Sequence, residues 1–123
     1  MNNLFYSHDH EWLRVEDTEA TIGITDFAAG ELGDIVYVDF LEIGSVLAKG
    51  QVFGTIEAVK TVSDLFMPVS GKIIGMNPQL TTAPESVNID PFGDGWLVRI
   101  IVEKSGELDD LLDADGYQKI IGK

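Results

Sequence analysis

The stretch Val52-Phe53-Gly54-Thr55-Ile56-Glu57-Ala58-Val59-Lys60-Thr61-Val62-Ser63-Asp64-Leu65-Phe66-Met67 decides the fold. It holds no proline and a single glycine, and it is rich in Val, Ile, Thr and Phe. Strands in globular domains usually run about 5–6 residues, so the stretch should fold back near its middle. Lys60 lies there, and a β-hairpin with Lys60 at its tip is the expectation. The favoured two-residue hairpin turns need positive φ and carry Asn-Gly, Asp-Gly or paired glycines. Ala58, Val59, Lys60 and Thr61 include none of these, and the β-branched Val59 and Thr61 resist left-handed geometry. Either the turn is not of the primed kind or the reversal lies elsewhere. Departures from local preference of this sort occur where function demands a particular residue.

Two roles are open to Lys60 on spacing alone. One is a solvated lysine on a strand edge, which guards against edge-to-edge aggregation. The other is a point of covalent attachment. A catalytic role fits less well, because an exposed lysine amine titrates near ~10.4 and is a poor nucleophile at neutral pH.

Outward from this hairpin the chain reads as short strands punctuated by turns. Glu11 to Glu16 and Ala20 to Ile24 form strands around an Asp17-Thr18-Glu19 turn. Thr25-Asp26 opens a short helix that runs through Leu32 and stops at Gly33. Ile35 to Phe40 is a strand, Val46-Leu47 a short segment between turns, and Lys72 to Met76 another strand. Asn77-Pro78 starts one helical turn through Leu80, with the cap at Asn77. Thr81 to Gly95, with Pro84, Pro91, Gly93 and Gly95, reads as a loop that carries function. Trp96 to Val102 is a buried strand interrupted by Arg99. Ser105 caps a helix with Leu108, Leu111 and Leu112 on one face, and a last helix spans about Ala114 to Ile121. The sum is a mainly β, antiparallel domain covering 1–123, with short helices and a helical C-terminal extension at about 105–122. No repeat with a clear period is present.

Composition narrows the function. A chain of 123 residues, 45% hydrophobic, is long enough for one continuous core. Eight Lys and Arg against 21 Asp and Glu give a net charge of −13. That field repels phosphate backbones and anionic headgroups, which argues against nucleic-acid and membrane partners, and it favours proteins with basic faces. No apolar run approaches the ~20 residues of a membrane span, and Met1 to Tyr6 carries no signal or transit pattern. Cysteine is absent, so there is no thiol nucleophile and no thiolate metal site. A cytoplasmic location is expected.

Three constellations could carry catalysis. His8-Asp9-His10-Glu11 resembles a metal site if alternate strand residues face one side, but zinc needs a third protein ligand and these are the only histidines. Local polar packing is the expectation there, although a metallohydrolase would declare itself by metal-dependent turnover lost on chelation. Val69-Ser70-Gly71-Lys72 fails as a phosphate loop, since position 66 is Phe and Lys72 is followed by Ile73. No G-x-S-x-G elbow exists for serine chemistry. Trp12 and Trp96 are expected to be core anchors.

Several separated blocks resemble the H proteins of the glycine cleavage system, which are lipoyl carrier proteins. They are Tyr6-Ser7-His8-Asp9-His10-Glu11-Trp12, Gly23-Ile24-Thr25-Asp26-Phe27-Ala28, Leu32-Gly33-Asp34-Ile35-Val36, Phe53-Gly54, Glu57 to Asp64, Pro68-Val69-Ser70-Gly71, Val87-Asn88 and Asp90 to Leu97. They cover almost the whole chain in the family's order. Ala58 and Thr61 stand where Ser and Ala are common, and Phe92 where Tyr is common. Biotinyl domains and the lipoyl domains of 2-oxo-acid dehydrogenases resemble the chain less. The former usually flank their lysine with methionine, and neither usually carries the Asp90-Pro91-Phe92-Gly93 loop or the terminal helices.

The resemblance implies a lipoyl-type barrel-sandwich fold of two small antiparallel sheets, with lipoate in amide linkage on Lys60. It implies a non-catalytic carrier without catalytic residues or metal, acting in glycine catabolism and one-carbon metabolism. Lipoate on Lys60 would shuttle an aminomethyl group from the PLP-dependent glycine decarboxylase (P protein) to the folate-dependent aminomethyltransferase (T protein). Dihydrolipoamide dehydrogenase (L protein) would reoxidise it. A lipoate ligase or octanoyltransferase would install it, and a further role as lipoyl-relay donor stays open. Glu11 and Asp64 align with residues that dock the loaded arm, where carboxylates would pair with its cationic amine.

Overall fold

A computed structural model describes residues 3–122 of the chain. Met1, Asn2 and Lys123, the ends of the expected 1–123 domain, lie outside the described residues. Nine strands form two antiparallel sheets. The larger contains β1 (Leu4–Tyr6), β2 (Glu11–Glu16), β3 (Glu19–Ile24), β5 (Val46–Leu47), β8 (Gly71–Met76) and β9 (Val98–Val102) in the order β1-β2-β3-β9-β8-β5. The smaller contains β4 (Ile35–Phe40), β6 (Val52–Ala58) and β7 (Val62–Phe66) in the order β4-β6-β7. Helices α1 (Asp26–Leu32), α2 (Gln79–Thr82), α3 (Ser86–Ile89) and α4 (Ala114–Ile120) fill the connections and the C-terminus.

The sheets bury their facing sides against each other. Leu13, Ile22, Ile73, Val98 and Ile100 of the larger sheet join Phe53, Ile56 and Leu65 of the smaller, all nearly inaccessible. Each such side chain is worth roughly 1.5–3 kcal/mol of burial. Trp12 is an anchor as expected. Its indole N–H donates to the Pro91 carbonyl at 2.9 Å, and Phe92 stacks on its ring. A Cβ at residue 23 would lie 2.5 Å from that indole, so only glycine lets the ring pass over β3. Trp96, by contrast, is half-buried. Arg99, the polar interruption of β9, donates to Thr21 Oγ1 at 2.8 Å and to Glu19 Oε1 at 2.7 Å.

Helix α1 starts and stops as the sequence predicts. The Thr25 side chain accepts from the Ala28 N–H, and Gly33 closes the helix at φ 83°. Elsewhere the structure differs from the expectations. Strand β1 is an addition to the expected elements, its three residues being too few to carry a readable alternation. The 81–95 segment is not a plain loop, since α2 runs to Thr82 and α3 adds another turn. The N-cap of α2 is Pro78 rather than the expected Asn77, although the Asn77 side chain accepts from the Gln79 N–H at 3.1 Å. Residues Ser105–Asp110 form a 3-10 helix rather than an amphipathic α-helix. Gly106 lowers helix propensity there, and Leu112 leaves the helical face to pair its backbone with Tyr6 in both directions at 2.8 Å. Strand β9 begins at Val98, two residues later than Trp96.

Candidate functional site

The 52–67 stretch folds back as expected, with β6 and β7 paired from Val52↔Phe66 to Glu57↔Val62. Val59, Lys60 and Thr61 form the turn, and Lys60 is exposed at its tip. Among the described residues only His10 and Asp17 are non-glycine positions with positive φ, so this turn needs no left-handed residue. The Ala58 N–H donates to the Thr61 carbonyl at 2.7 Å, and the Val59 N–H donates outside the hairpin, to the Asp34 carbonyl at 2.9 Å. A tertiary hydrogen bond therefore replaces the missing turn glycine.

The Asp34 segment is itself clamped. Asn88, from α3, accepts the Ile35 N–H at 3.0 Å and donates to the Gly33 carbonyl at 2.8 Å. The lysine stem lies over the same cap, with its Cε 3.4 Å from where a Cβ on Gly33 would stand. Asn88→Ala leaves a carbonyl and the N–H of buried Ile35 without these partners. It should cost about 1–3 kcal/mol in urea unfolding and speed amide exchange at Val59 more than at Ile22. Equal protection at Val59 in both proteins would show that the clamp does not hold the tip.

Glu11 and Asp64, far apart in sequence, line one cleft of about 240 Å³. Its walls are α1 (Phe27, Ala28, Leu32), β7 (Ser63, Asp64, Leu65) and the turn before β2. Asp64 is exposed on the rim. Glu11 is only 2% exposed. Its Oε2 accepts the Phe66 N–H at 2.8 Å, which ties the larger sheet to the smaller, and its Oε1 accepts from Ser7 Oγ at 3.4 Å. Burial pushes the Glu11 carboxyl up to about 8, although the Phe66 bond pulls the other way. At neutral pH the back of the cleft thus presents a mostly protonated carboxyl.

The two histidines sit in the turn between β1 and β2 rather than on a strand, so the alternation that would align them does not apply. His8 is exposed. His10 lies on the cleft wall at φ 64°, its Nδ1 2.9 Å from Tyr117 Oη, which is also 2.6 Å from Thr25 Oγ1. Helix α4 thus braces both the α1 cap and the cleft wall. Neither Asn88 nor Tyr117 was singled out from sequence for the site. For Asn88 the only signal was its place in the Val87-Asn88 block, and for Tyr117 its place on an apolar helix face.

Lipoate, the group the lysine motif implies, fits these residues. Lys60 Nζ has no ion pair or hydrogen bond among the described residues, and an apolar cleft closed by polar groups lies beside the hairpin. Residues 4–123 match the family model described as Glycine cleavage H-protein. The chain is 50% identical over 119 residues to the glycine cleavage system H protein of Bacteroides fragilis, covering 97% of this chain and 94% of that one. It is 51% identical over 119 residues to that of Salinibacter ruber, covering 97% and 96%. The crystal structure of a glycine cleavage system H protein from Mycobacterium marinum superposes with a TM-score of 0.91 at 33% identity, covering 100% of this chain and 99% of that one. The two-sheet architecture is thus the barrel-sandwich expected from the sequence.

Proposed function

This chain belongs to the glycine cleavage H-protein family, and from that premise we propose that it is the system's lipoyl carrier, a single non-catalytic domain with lipoate attached to Lys60. The observation that carries the reading is an unpaired, exposed amine on a braced hairpin tip, next to a cleft lined by both docking candidates. Lipoate held on Lys60 would supply a dithiol/disulfide pair, the chemistry needed to accept an aminomethyl group from glycine decarboxylase, to give it up to the folate-dependent aminomethyltransferase and to be reoxidised by dihydrolipoamide dehydrogenase.

The chain's own residues do three things. The turn presents Nζ to a lipoate ligase or octanoyltransferase, and acylation removes its charge. The apolar walls from Phe27, Ala28, Leu32 and Leu65 keep water from a group lodged in the cleft. Asp64 at the rim and Glu11 at the back hold a cationic amine there. A cation beside Glu11 favours its ionised form, so the buried carboxyl gives up its proton as the amine arrives. No described helix is long and apolar enough to cross a membrane, and the reading places the carrier in the cytoplasm with its partner enzymes. Service as a lipoyl-relay donor would use the same lysine.

Peptide mass spectrometry of protein from native cells tests the attachment. The peptide containing Lys60 should carry lipoate and peptides with the other lysines should not. Lipoate on another lysine, or on none, would overturn the assignment.

A further inference from the structure

A second groove, of about 650 Å³, lies between β4 and α2, lined among others by Val36, Tyr37, Ile43, Met76, Pro78 and Pro84. Strand β4 is an edge of the smaller sheet, paired only with β6. Its register slips between Ile35 and Tyr37, so Val36 is an extra, bulged residue. The bulge leaves two consecutive side chains outside, Val36 at 47% and Tyr37 at 56% exposure, and Ile43 beyond them is 59% exposed. An acidic protein gains no solubility from such a patch, and contiguous exposed apolar surface marks interaction sites.

The groove adjoins the attachment point. Tyr37 pairs with Glu57, three residues before Lys60, so its near end lies at the base of the lysine hairpin. Apart from Lys60 itself, its surroundings have one sign of charge. Asp39 lines it, exposed Asp34 and Glu57 stand at the lysine end, exposed Glu42 and Glu85 adjoin Ile43 and Pro84, and no Lys or Arg lines it. A second copy of a chain at −13 is disfavoured there by repulsion. An apolar segment flanked by Lys and Arg matches on both counts.

We propose that the β4–α2 groove docks an apolar, base-flanked segment of an enzyme that acts on the group carried by Lys60. The enzyme's identity rests on the carrier reading; the groove itself does not. Contact along the groove fixes the carrier beside the active site while the attached group enters it, so the groove sets affinity rather than chemistry. Removing it should raise KM for the carrier and leave kcat alone.

The test uses lipoylated carrier with glycine decarboxylase, aminomethyltransferase and dihydrolipoamide dehydrogenase, assayed one at a time with carrier concentration varied. Tyr37→Lys and Ile43→Lys replace exposed groove residues, and Val46→Lys makes the same charge change at a residue 66% exposed outside the groove. For at least one enzyme, both groove variants should raise KM by about tenfold or more, the size of a lost anchor contact, with kcat unchanged and Val46→Lys like wild type. Unchanged KM for all three enzymes overturns the proposal, as does an equal rise with Val46→Lys. A wild-type dimer dissolved by the groove variants in sedimentation would assign the face to a second copy and overturn it too. If wild-type carrier is lipoylated yet the variants behave normally, the groove alone is refuted. If wild type binds none of the enzymes, the carrier reading falls and the proposal with it.

Discussion

Lys60→Arg should abolish glycine-dependent turnover with the partner enzymes and leave the fold as it was. Arginine keeps the charge and nearly the length of lysine, but its guanidinium stays protonated and does not form the amide that lipoate attachment requires. Lys60 is exposed, and among the described residues its Nζ has no hydrogen bond or ion pair. The substitution should therefore change stability by no more than about 0.5 kcal/mol. Intact mass should show no lipoate on the variant, and thermal unfolding should match wild type. Persistent glycine-dependent turnover by the Arg variant would refute the carrier role of this lysine, whatever its modification state.

The alternative role for Lys60, as a charge guarding a strand edge, loses ground on position. The edges of the smaller sheet are β4 and β7, and Lys60 is on neither. Edge protection needs a charge along the unpaired backbone, whereas Lys60 sits at the turn, where the backbone is already tied to Asp34. A braced turn with a free amine is what an attachment point requires and what an anti-aggregation lysine does not.

How much of this was legible in the sequence varied with the range of the interaction. The reversal within 52–67 followed from length alone, and helix α1 from Thr25 and Gly33, because caps and strand lengths are local. The turn at Lys60 was not legible, since the carbonyl that stabilises it belongs to Asp34, on a different element. Asn88 escaped for the same reason: its partners lie more than 50 residues upstream. Glu11 reads as surface, because it follows His8, Asp9 and His10 in a polar run. Its burial comes with the meeting of the start of β2 and the end of β7, where the Phe66 N–H reaches its carboxyl. Strand length thus located Lys60, the family resemblance pointed to Glu11 and Asp64, and tertiary packing decided their support.

The Glu11 carboxyl carries the second large effect. In the unfolded chain it ionises at its ordinary 4.5, whereas in the folded protein burial holds it at about 8. Between those values the folded state keeps a proton that the unfolded state has released, so unfolding is increasingly favoured as pH rises. This group's stability contribution is highest below about 4.5, falls through the interval and levels off above about 8. A gap of that width corresponds to on the order of 3–5 kcal/mol. Glu11→Gln keeps a carbonyl for the Phe66 N–H and places an amide donor toward Ser7 Oγ, without the ionisation. Urea unfolding should therefore give similar stabilities for the two proteins near pH 4.5, with the variant ahead by several kcal/mol near pH 8.5. The same substitution removes the carboxyl proposed to hold the cationic amine, so aminomethyl-loaded Glu11→Gln should lose its amine to water faster than wild type even though it is the more stable protein. Parallel stability curves across this range would mean that the carboxyl is already ionised at neutral pH in the folded state. A loaded variant that keeps its amine as long as wild type would remove Glu11 from the docking site.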